Sequence, residues 1–316
     1  MTVRWGFLGA GFVATKALAP AVHAADGAVL HAAAARDPAR AAALGGAVTH
    51  PSYSSLLADP DVDAVYISLT NEAHVPWVLA ALEAGKHVLC EKPLGLTADE
   101  VRSMAAAAGD RLLVEASWYR WHPRVRLAQQ RLADIGEVRH VTAGFTFGGV
   151  PEGNYRLEVE RGGGALYDVG HYAVSAALWA VGQGVPSDVA ARQVLGPTGV
   201  DLVTEAVLDW PSGATAEVRA GIDEGEGQWL VVTGTEGEIE LRDAPFTSWI
   251  EDDTELWVSD GTATERLRVP ATDAYRVMVE EVSSVIAGGP GWVLPLEESL
   301  ACATVLDTIR SAARAH

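Results

Sequence analysis

"VRWGFLGAGFVA", residues 3–14, decides the fold of the first half of this 316-residue chain. Residues 3–8 form a short apolar run that reads as a buried strand. Residues 9–25, "GAGFVATKALAPAVHAA", read as a turn followed by a helix. Gly9, Gly11 and Ala14 have G-x-G-x-x-A spacing. Gly9 permits the tight turn, Gly11 lets backbone approach a pyrophosphate, and Ala14 lets the helix lie close to the strand. The amides at the helix start favour negative charge. Phe12 and Val13 lie in the same loop and are counted with Gly9 and Gly11 as cofactor contacts. The alternative is an ordinary glycine-rich turn, and the flanking strand and helix weigh against it.

Working outward, "AVLHAAAA" (28–35) reads as a second strand, followed by a helix that begins "DPARAAAL" with Pro38 near its first turn. "SYSSLLADP" (52–60) reads as a short helix with a serine start. "VDAVYISLT" (62–70), "KHVLCEKP" (86–93) and "RLLVEASW" (111–118) read as further strands. Helices lie between them: one ends at Gly85, and another opens with Thr97 and Glu100 in capping-box spacing. Strands separated by helices imply right-handed crossovers and a parallel sheet. After "WYRWHPRV" the pattern changes. One helix near 124–134 precedes long runs of period-two alternation, such as "GEVRHVTAGFTF", "ATAEVRAGI" and "GQWLVVTGTEGEIEL". These predict a mainly antiparallel sheet with one open face. Helices are expected near 168–181, 273–287 and 296–314. The fold class is therefore α/β: an N-terminal Rossmann parallel sheet (1–119) and a C-terminal α+β domain on a large, mainly antiparallel open sheet (120–316). The open face is a candidate surface for a homodimer or homotetramer, or a solvated face.

The bulk numbers exclude some partners. The formal charge is −19, from 23 Lys and Arg against 42 Asp and Glu. So acidic a surface repels nucleic acid and anionic membrane. No apolar run is long enough to span a bilayer. Cys90 and Cys302 lack metal-ligand spacing and read as core thiols in a reducing, cytoplasmic setting; no metal site is expected.

The end of the second strand bears on the cofactor. A ribose-binding acid is expected about 20 residues beyond the glycines, whereas an arginine there suits a 2′-phosphate. "AAARDPAR" (33–40) offers Arg36, Asp37 and Arg40. Two arginines in so acidic a chain read as a phosphate clamp, which favours NADP with NAD possible. Asp37 has the alternative role of capping the next helix.

Ligands of open parallel sheets bind beyond the carboxyl ends of the strands. "SLTNEAH" brings Thr70, Asn71 and His74 there, and "CEKP" brings Glu91 and Lys92. "EASWYRWHP" brings Trp118, Tyr119, Arg120 and His122. The chain has only three lysines, Lys16, Lys86 and Lys92. Lysine, unlike arginine, can give up its proton when its surroundings lower its pKa, so Lys92 ahead of Pro93 is a candidate for chemistry; a surface lysine before a turn is the alternative. In the second half, "RGGGALYDVGHYAVS" (161–175) places Asp168 at a helix start with His171 and Tyr172 three and four residues on. An acid beside a ring of this kind makes a proton-transfer pair; an N-cap Asp with two incidental rings is the alternative.

Three strings together, "GFLGAGFVA", "TNEAHVPWVLAALEAGKHVLCEKPLGLTADE" and "GGGALYDVGHY", resemble the glucose–fructose oxidoreductase/inositol dehydrogenase (Gfo/Idh/MocA) family over nearly the whole chain. "EASWYRWHP" and the D-x-G-x-Y spacing resemble its dihydrodiol and xylose dehydrogenase branch. The resemblance implies Lys92 at the substrate hydroxyl and nicotinamide ribose, Tyr172 as acid/base, Asp168 orienting the substrate, and a cis peptide before Pro93. His171 stands where this branch often carries a small or apolar residue. Tyr119, Trp121 and His122 stand where bulky apolar residues are usual. The expected activity is hydride transfer between NAD(P) and a secondary alcohol or hemiacetal carbon of a sugar, polyol or diol. Trp118 and Trp121 would form an apolar wall, with Trp118, Arg120 and His171 as substrate contacts. Arg120, Arg156 and Arg161 are candidates for a polar or acidic substituent, with surface solvation as the alternative for each. Two rivals are a catalytically silent NADP-sensing protein of the same fold and a redox enzyme acting on an activated sugar in a biosynthetic pathway.

Overall fold

The computed structural model describes residues 1–314 except 243–244 and 248–251. The chain divides into two units. The first comprises Met1–Gly95, Asp99–Trp121 and Asp273–Ser299; the second comprises Leu96–Ala98, His122–Thr272 and the residues from Leu300 onward. The division is discontinuous, where the sequence predicts a linear one at 119/120.

The first unit is built on six parallel strands: β1 (Val3–Leu8), β2 (Ala28–Ala34), β3 (Val48–His50), β4 (Ala64–Ile67), β5 (His87–Cys90) and β6 (Leu113–Glu115). Their spatial order is β3-β2-β1-β4-β5-β6. The order reverses between β1 and β4, which opens a crevice at their carboxyl ends. Nearly all of β1 and the whole of β4 are buried, as expected for parallel strands covered on both faces. The edge strand β3 has no counterpart in the sequence reading. The strand predicted over 62–70 is shorter, so Ser68, Leu69 and Thr70 lie beyond its end. The Ser-started helix is present as Tyr53–Leu57, with Ser52 and Ser55 forming a reciprocal capping box.

The helix Ala274–Ile286 packs on the turn Trp118–Trp121 and on β2. Trp5 Nε1 donates to Ser283 Oγ at 3.0 Å in the buried interior. Buried Lys86 donates Nζ to the carbonyls of Asp59 and Val62, both at 2.7 Å, which ties the loop before β4 to the start of β5.

Among the described residues the second unit carries eight strands: β7 (Val138–Thr146), β8 (Asp188–Leu195), β9 (Asp201–Asp209), β10 (Thr215–Gly221), β11 (Gly227–Gly234), β12 (Glu238–Glu240), β13 (Thr254–Ser259) and β14 (Thr264–Val269). Their order is β14-β13-β12-β11-β7-β10-β9-β8. All neighbours are antiparallel except β7 and β10, which run parallel. The helix His171–Val181 covers one face, packing on β7, β10 and β11. Val141, Ala143, Ala206, Leu208, Leu230 and Val232 are buried in this sheet. The alternate positions Thr142, Val207, Glu217 and Trp229 are at least partly exposed, the pattern expected when one sheet face is left uncovered. Among the described residues no helix is long and apolar enough to cross a membrane.

Candidate active site

Chemistry-bearing side chains form one cluster in each unit. In the first, Gly9 has φ +100°, and a Cβ there would lie 2.3 Å from Ser68 O. Only glycine fits this turn between β1 and β4. A Cβ on Gly11 would stand 3.3 Å from Ser68 Oγ, so the backbone face of the loop is narrow. The loop leads into a wide helical turn, Ala14–Leu18, with Thr15 N–H donating to Gly11 O at 3.0 Å. Phe12 is exposed and Val13 half-buried. This cradle at the sheet's reversal point fits a dinucleotide pyrophosphate.

Arg36 is exposed just past β2. Asp37 caps the helix Pro38–Ala42, accepting from Ala39 N–H at 2.9 Å. Its carboxylate is thereby engaged locally. Arg40 reaches back across the loop and donates Nη2 to the carbonyl of Ala10. The two arginines therefore differ in kind: Arg36 presents charge to solvent, whereas Arg40 braces the glycine turn.

Beyond β4 and β5, Thr70 donates its hydroxyl to Glu72 Oε1 at 2.8 Å, and Asn71 is buried. His74 is fully buried; Nδ1 lies 2.8 Å from Pro93 O and Nε2 3.3 Å from Leu69 O. Burial depresses its pKa, with the nearby Lys92 charge adding to the effect. Through the contact of Nδ1 with Pro93 O, His74 holds the segment that carries Lys92, whose peptide to Pro93 is cis. Glu91 is buried and accepts from Tyr66 Oη at 2.7 Å. Burial raises its pKa, opposed by Lys92. Glu115, at the end of β6, accepts from Leu94 N–H at 2.8 Å and fixes the next step of the chain.

The "SWYRWHP" segment turns inward. Trp118 stacks on Tyr275 with centroids 4.7 Å apart, and Trp121 meets Trp292 edge-on at 4.8 Å. Arg120 pairs with Glu298 at 2.6 Å and lies over the Trp292 ring. The structure places Trp118 and Arg120, expected as substrate contacts, in this cluster at 5% and 3% exposure. In the second unit, His122 caps the helix Pro123–Arg131, its Nδ1 accepting from Arg124 N–H at 3.1 Å.

The other cluster lies wholly in the second unit. Gly162 and Gly164 have φ of +69° and +111°. Gly164 N–H donates to Arg156 O at 2.9 Å, and a Cβ on Gly163 would lie 2.5 Å from that oxygen. The glycine loop thus closes on the backbone of residue 156. Asp168 follows in a wide helical turn, Leu166–Gly170, that runs directly into the helix His171–Val181. Such turns recur at functional positions because the extra residue re-aims side chains. Asp168 accepts from Arg156 Nε at 2.6 Å. Burial alone would lower the Arg156 pKa, but Asp168 and the neighbouring phenols outweigh it and the guanidinium is held above its ordinary range. Tyr172, 6% exposed, packs 5.8 Å from Phe145. His171 meets the Tyr172 ring edge-on, and its Nδ1 lies 3.5 Å from Cys302 Sγ. Arg161 pairs with Glu158 at the surface.

Two contributors escape the sequence reading. Ser68 walls the glycine turn, and its position just past an apolar strand was a usable signal. Asp201 accepts from Leu166 N–H at 2.7 Å and Thr204 Oγ1 at 2.6 Å, holding the start of the segment that carries Asp168. Burial pushes its pKa up to about 6. A lone acid 33 residues downstream of Asp168 gives no local signal.

Residues 3–114 match the Gfo/Idh/MocA oxidoreductase family's NAD-binding Rossmann fold, and residues 125–240 match the family's C-terminal domain. The chain belongs to the Gfo/Idh/MocA oxidoreductase family. It is 37% identical to a Haloferax volcanii D-xylose 1-dehydrogenase (NADP(+)), over 98% of this chain and 97% of that one. It is 32% identical to mouse trans-1,2-dihydrobenzene-1,2-diol dehydrogenase, covering 77% and 75%. A crystal structure of a 3-ketoreductase from Actinomadura kijaniata, in complex with NADP and TDP-benzene, superposes with a TM-score of 0.90. That structure is 28% identical, covering 99% of this chain and 98% of that one. The family's two-part architecture, expected from the resemblance, is the one observed.

Proposed function

We propose that this chain is an NADP-dependent dehydrogenase acting on a secondary alcohol or hemiacetal carbon of a sugar, polyol or diol. The observation that carries the reading is the Asp168–Tyr172 pair. Both are buried, one turn apart, and Asp168 is fixed by Arg156. Tyr172 takes the proton of the substrate hydroxyl in oxidation and returns it in reduction, and Asp168 orients that hydroxyl. Lys92 is assigned as the cation supporting the proton transfer. Gly9, Gly11, Phe12 and Val13 would hold the pyrophosphate, with Thr70, Asn71, His74 and Glu91 shaping the crevice beyond β4 and β5. Arg36 would meet the 2′-phosphate. Bound there, the dinucleotide gives or accepts the hydride. His171 is assigned to packing against the Tyr172 ring; Trp118 and Arg120 are assigned to the framework of the first unit.

The NADP-dependent relative that matches over nearly the full length supports an aldose as the first substrate to test. The test is nicotinamide absorbance with a panel of aldoses, cyclic diols and one nucleotide-activated sugar, run with NADP and NAD. Activity on the activated sugar alone would favour the biosynthetic rival. Lys92→Met and Tyr172→Phe should each lower turnover by about 10²–10⁴-fold, and Lys92→Met should keep NADP affinity. Turnover that survives both substitutions would remove the assignment.

We also propose self-association through the open sheet face. Trp229 covers Gly144, where a Cβ would be 2.1 Å from the indole. A shallow cavity of about 610 Å³ is lined there by Trp229, Val207 and the charged pair Arg219 and Glu205. Alternating acids and arginines let the face meet a second copy of itself. Light scattering on Val207→Glu should show a smaller species than wild type if this face joins copies.

A further inference from the structure

We propose that Arg156 determines substrate specificity by reading an oxygen substituent on the carbon next to the reacting one. The substrates are then carbinols with a vicinal oxygen, as in aldoses and 1,2-diols. The inference rests on the dehydrogenase reading above and deepens it.

Arg156 is held at three points. Its N–H donates to Asn154 Oδ1 at 3.0 Å, its carbonyl accepts from Gly164, and its Nε donates to Asp168. The guanidinium also stands 4.9 Å from the Tyr155 ring centroid. With the backbone held at two points and the side chain tied at Nε, the guanidinium loses little further freedom on meeting a ligand. Yet only Nε is occupied. Among the described residues neither Nη has a hydrogen-bond partner, and 30% of the side chain is accessible. A rigid, half-buried arginine with donors to spare, on the carboxylate one turn before Tyr172, is a recognition group rather than a surface charge.

The charge balance selects the ligand. Asp168 neutralises Arg156, so a second carboxylate arriving at the Nη groups would meet Asp168 as well as the cation. A hydroxyl or ether oxygen accepts from Nη without that repulsion. With the reacting hydroxyl at Tyr172, the neighbouring oxygen of a vicinal pair falls toward the Arg156–Asp168 end of the same helical face.

The experiment compares kcat/KM for D-glucose against 2-deoxy-D-glucose and trans-cyclohexane-1,2-diol against cyclohexanol, with NADP, in wild type, Arg156→Met and Arg156→Lys. The wild type should favour the vicinally oxygenated member roughly 10- to 100-fold, as for a hydrogen bond to a charged group. In Arg156→Met the ratio should fall toward one, and Arg156→Lys should recover part of it. Equal wild-type turnover of both members of each pair would overturn the proposal while leaving the dehydrogenase reading intact. A uniform loss across both members in Arg156→Met would mark the residue as structural and overturn it too. D-glucuronate outrunning D-glucose would overturn the choice of a neutral oxygen. No turnover of any member would sink both readings together. Thermal melts of each variant separate misfolding from lost recognition, and the wild-type ratios stand without any variant.

Discussion

Gly164 and Asp201 meet where a side chain on the glycine would otherwise stand: Asp201 Oδ1 lies 2.0 Å from the position of a Cβ. The glycine therefore admits both a positive φ and a buried carboxylate. Gly164→Ala should lower stability by about 2–4 kcal/mol, from backbone strain and displacement of the acid. Gly153→Ala is the control. Gly153 also has positive φ but has open space around its Cβ, so it should cost only about 1 kcal/mol. Urea unfolding of the two variants checks the difference.

Asp201 also sets a pH dependence. Burial lifts its folded pKa to about 6 from an ordinary value of 3.8. The folded state then binds the proton more tightly than the unfolded chain. This contribution is fully present below about pH 4 and is lost as pH rises toward 6, amounting to about 3 kcal/mol across the window. Asp201→Asn should flatten that part of the stability profile.

His122 acts in the opposite sense. Burial, aided by Arg124, lowers its folded pKa to about 4 from 6.5. Here the unfolded chain binds the proton more tightly, so the contribution is present above about pH 6.5 and is lost as pH falls through 4. The size is again about 3 kcal/mol. The cap requires an unprotonated Nδ1 to accept from Arg124 N–H. His122→Asn keeps a capping acceptor and removes the titration, so acid unfolding should shift to lower pH. Pairing His122→Asn with Asp201→Asn in one protein separates the two opposing slopes.

The two arginines past β2 should separate in cofactor kinetics. Arg36→Ala should raise KM for NADP by roughly 10- to 100-fold, consistent with loss of a charge-assisted phosphate contact, and barely change that for NAD. Arg40→Ala should weaken both, because its partner is the Ala10 carbonyl of the glycine turn. Higher efficiency with NAD in the wild type would defeat the phosphate assignment of Arg36.

Much of the first unit was legible because its signals are local. Apolar runs, the glycine spacing and the Ser52 cap each act within a few residues. β3 was missed because three residues on an edge leave no periodic trace. The parallel contact of β7 with β10 was also illegible, since pairing direction between distant strands is set by topology and not by either strand's own residues. The run Trp118–Trp121 shows the same limit. Trp118 and Trp121 at a strand's end read as an apolar wall, and nothing in the run itself shows that Tyr275 and Trp292, more than 150 residues later, pack against them or that Glu298 pairs with Arg120. Asp168 and Tyr172 could be read together because four residues make one helical turn. The grip of Arg156 on Asp168 depends on a loop folding back through Gly163 and Gly164.

The return of Asp273–Ser299 to the first unit has a consequence for how the protein is made. As the ribosome releases the chain, all six parallel strands emerge before the helix that supplies Ser283 to Trp5 and Tyr275 to Trp118. Until then Arg120 lacks the carboxylate of Glu298. The nucleotide-binding half therefore waits, unfinished, until Asp273–Ser299 has been made, and nascent chains stalled before residue 273 should be the ones that chaperones hold.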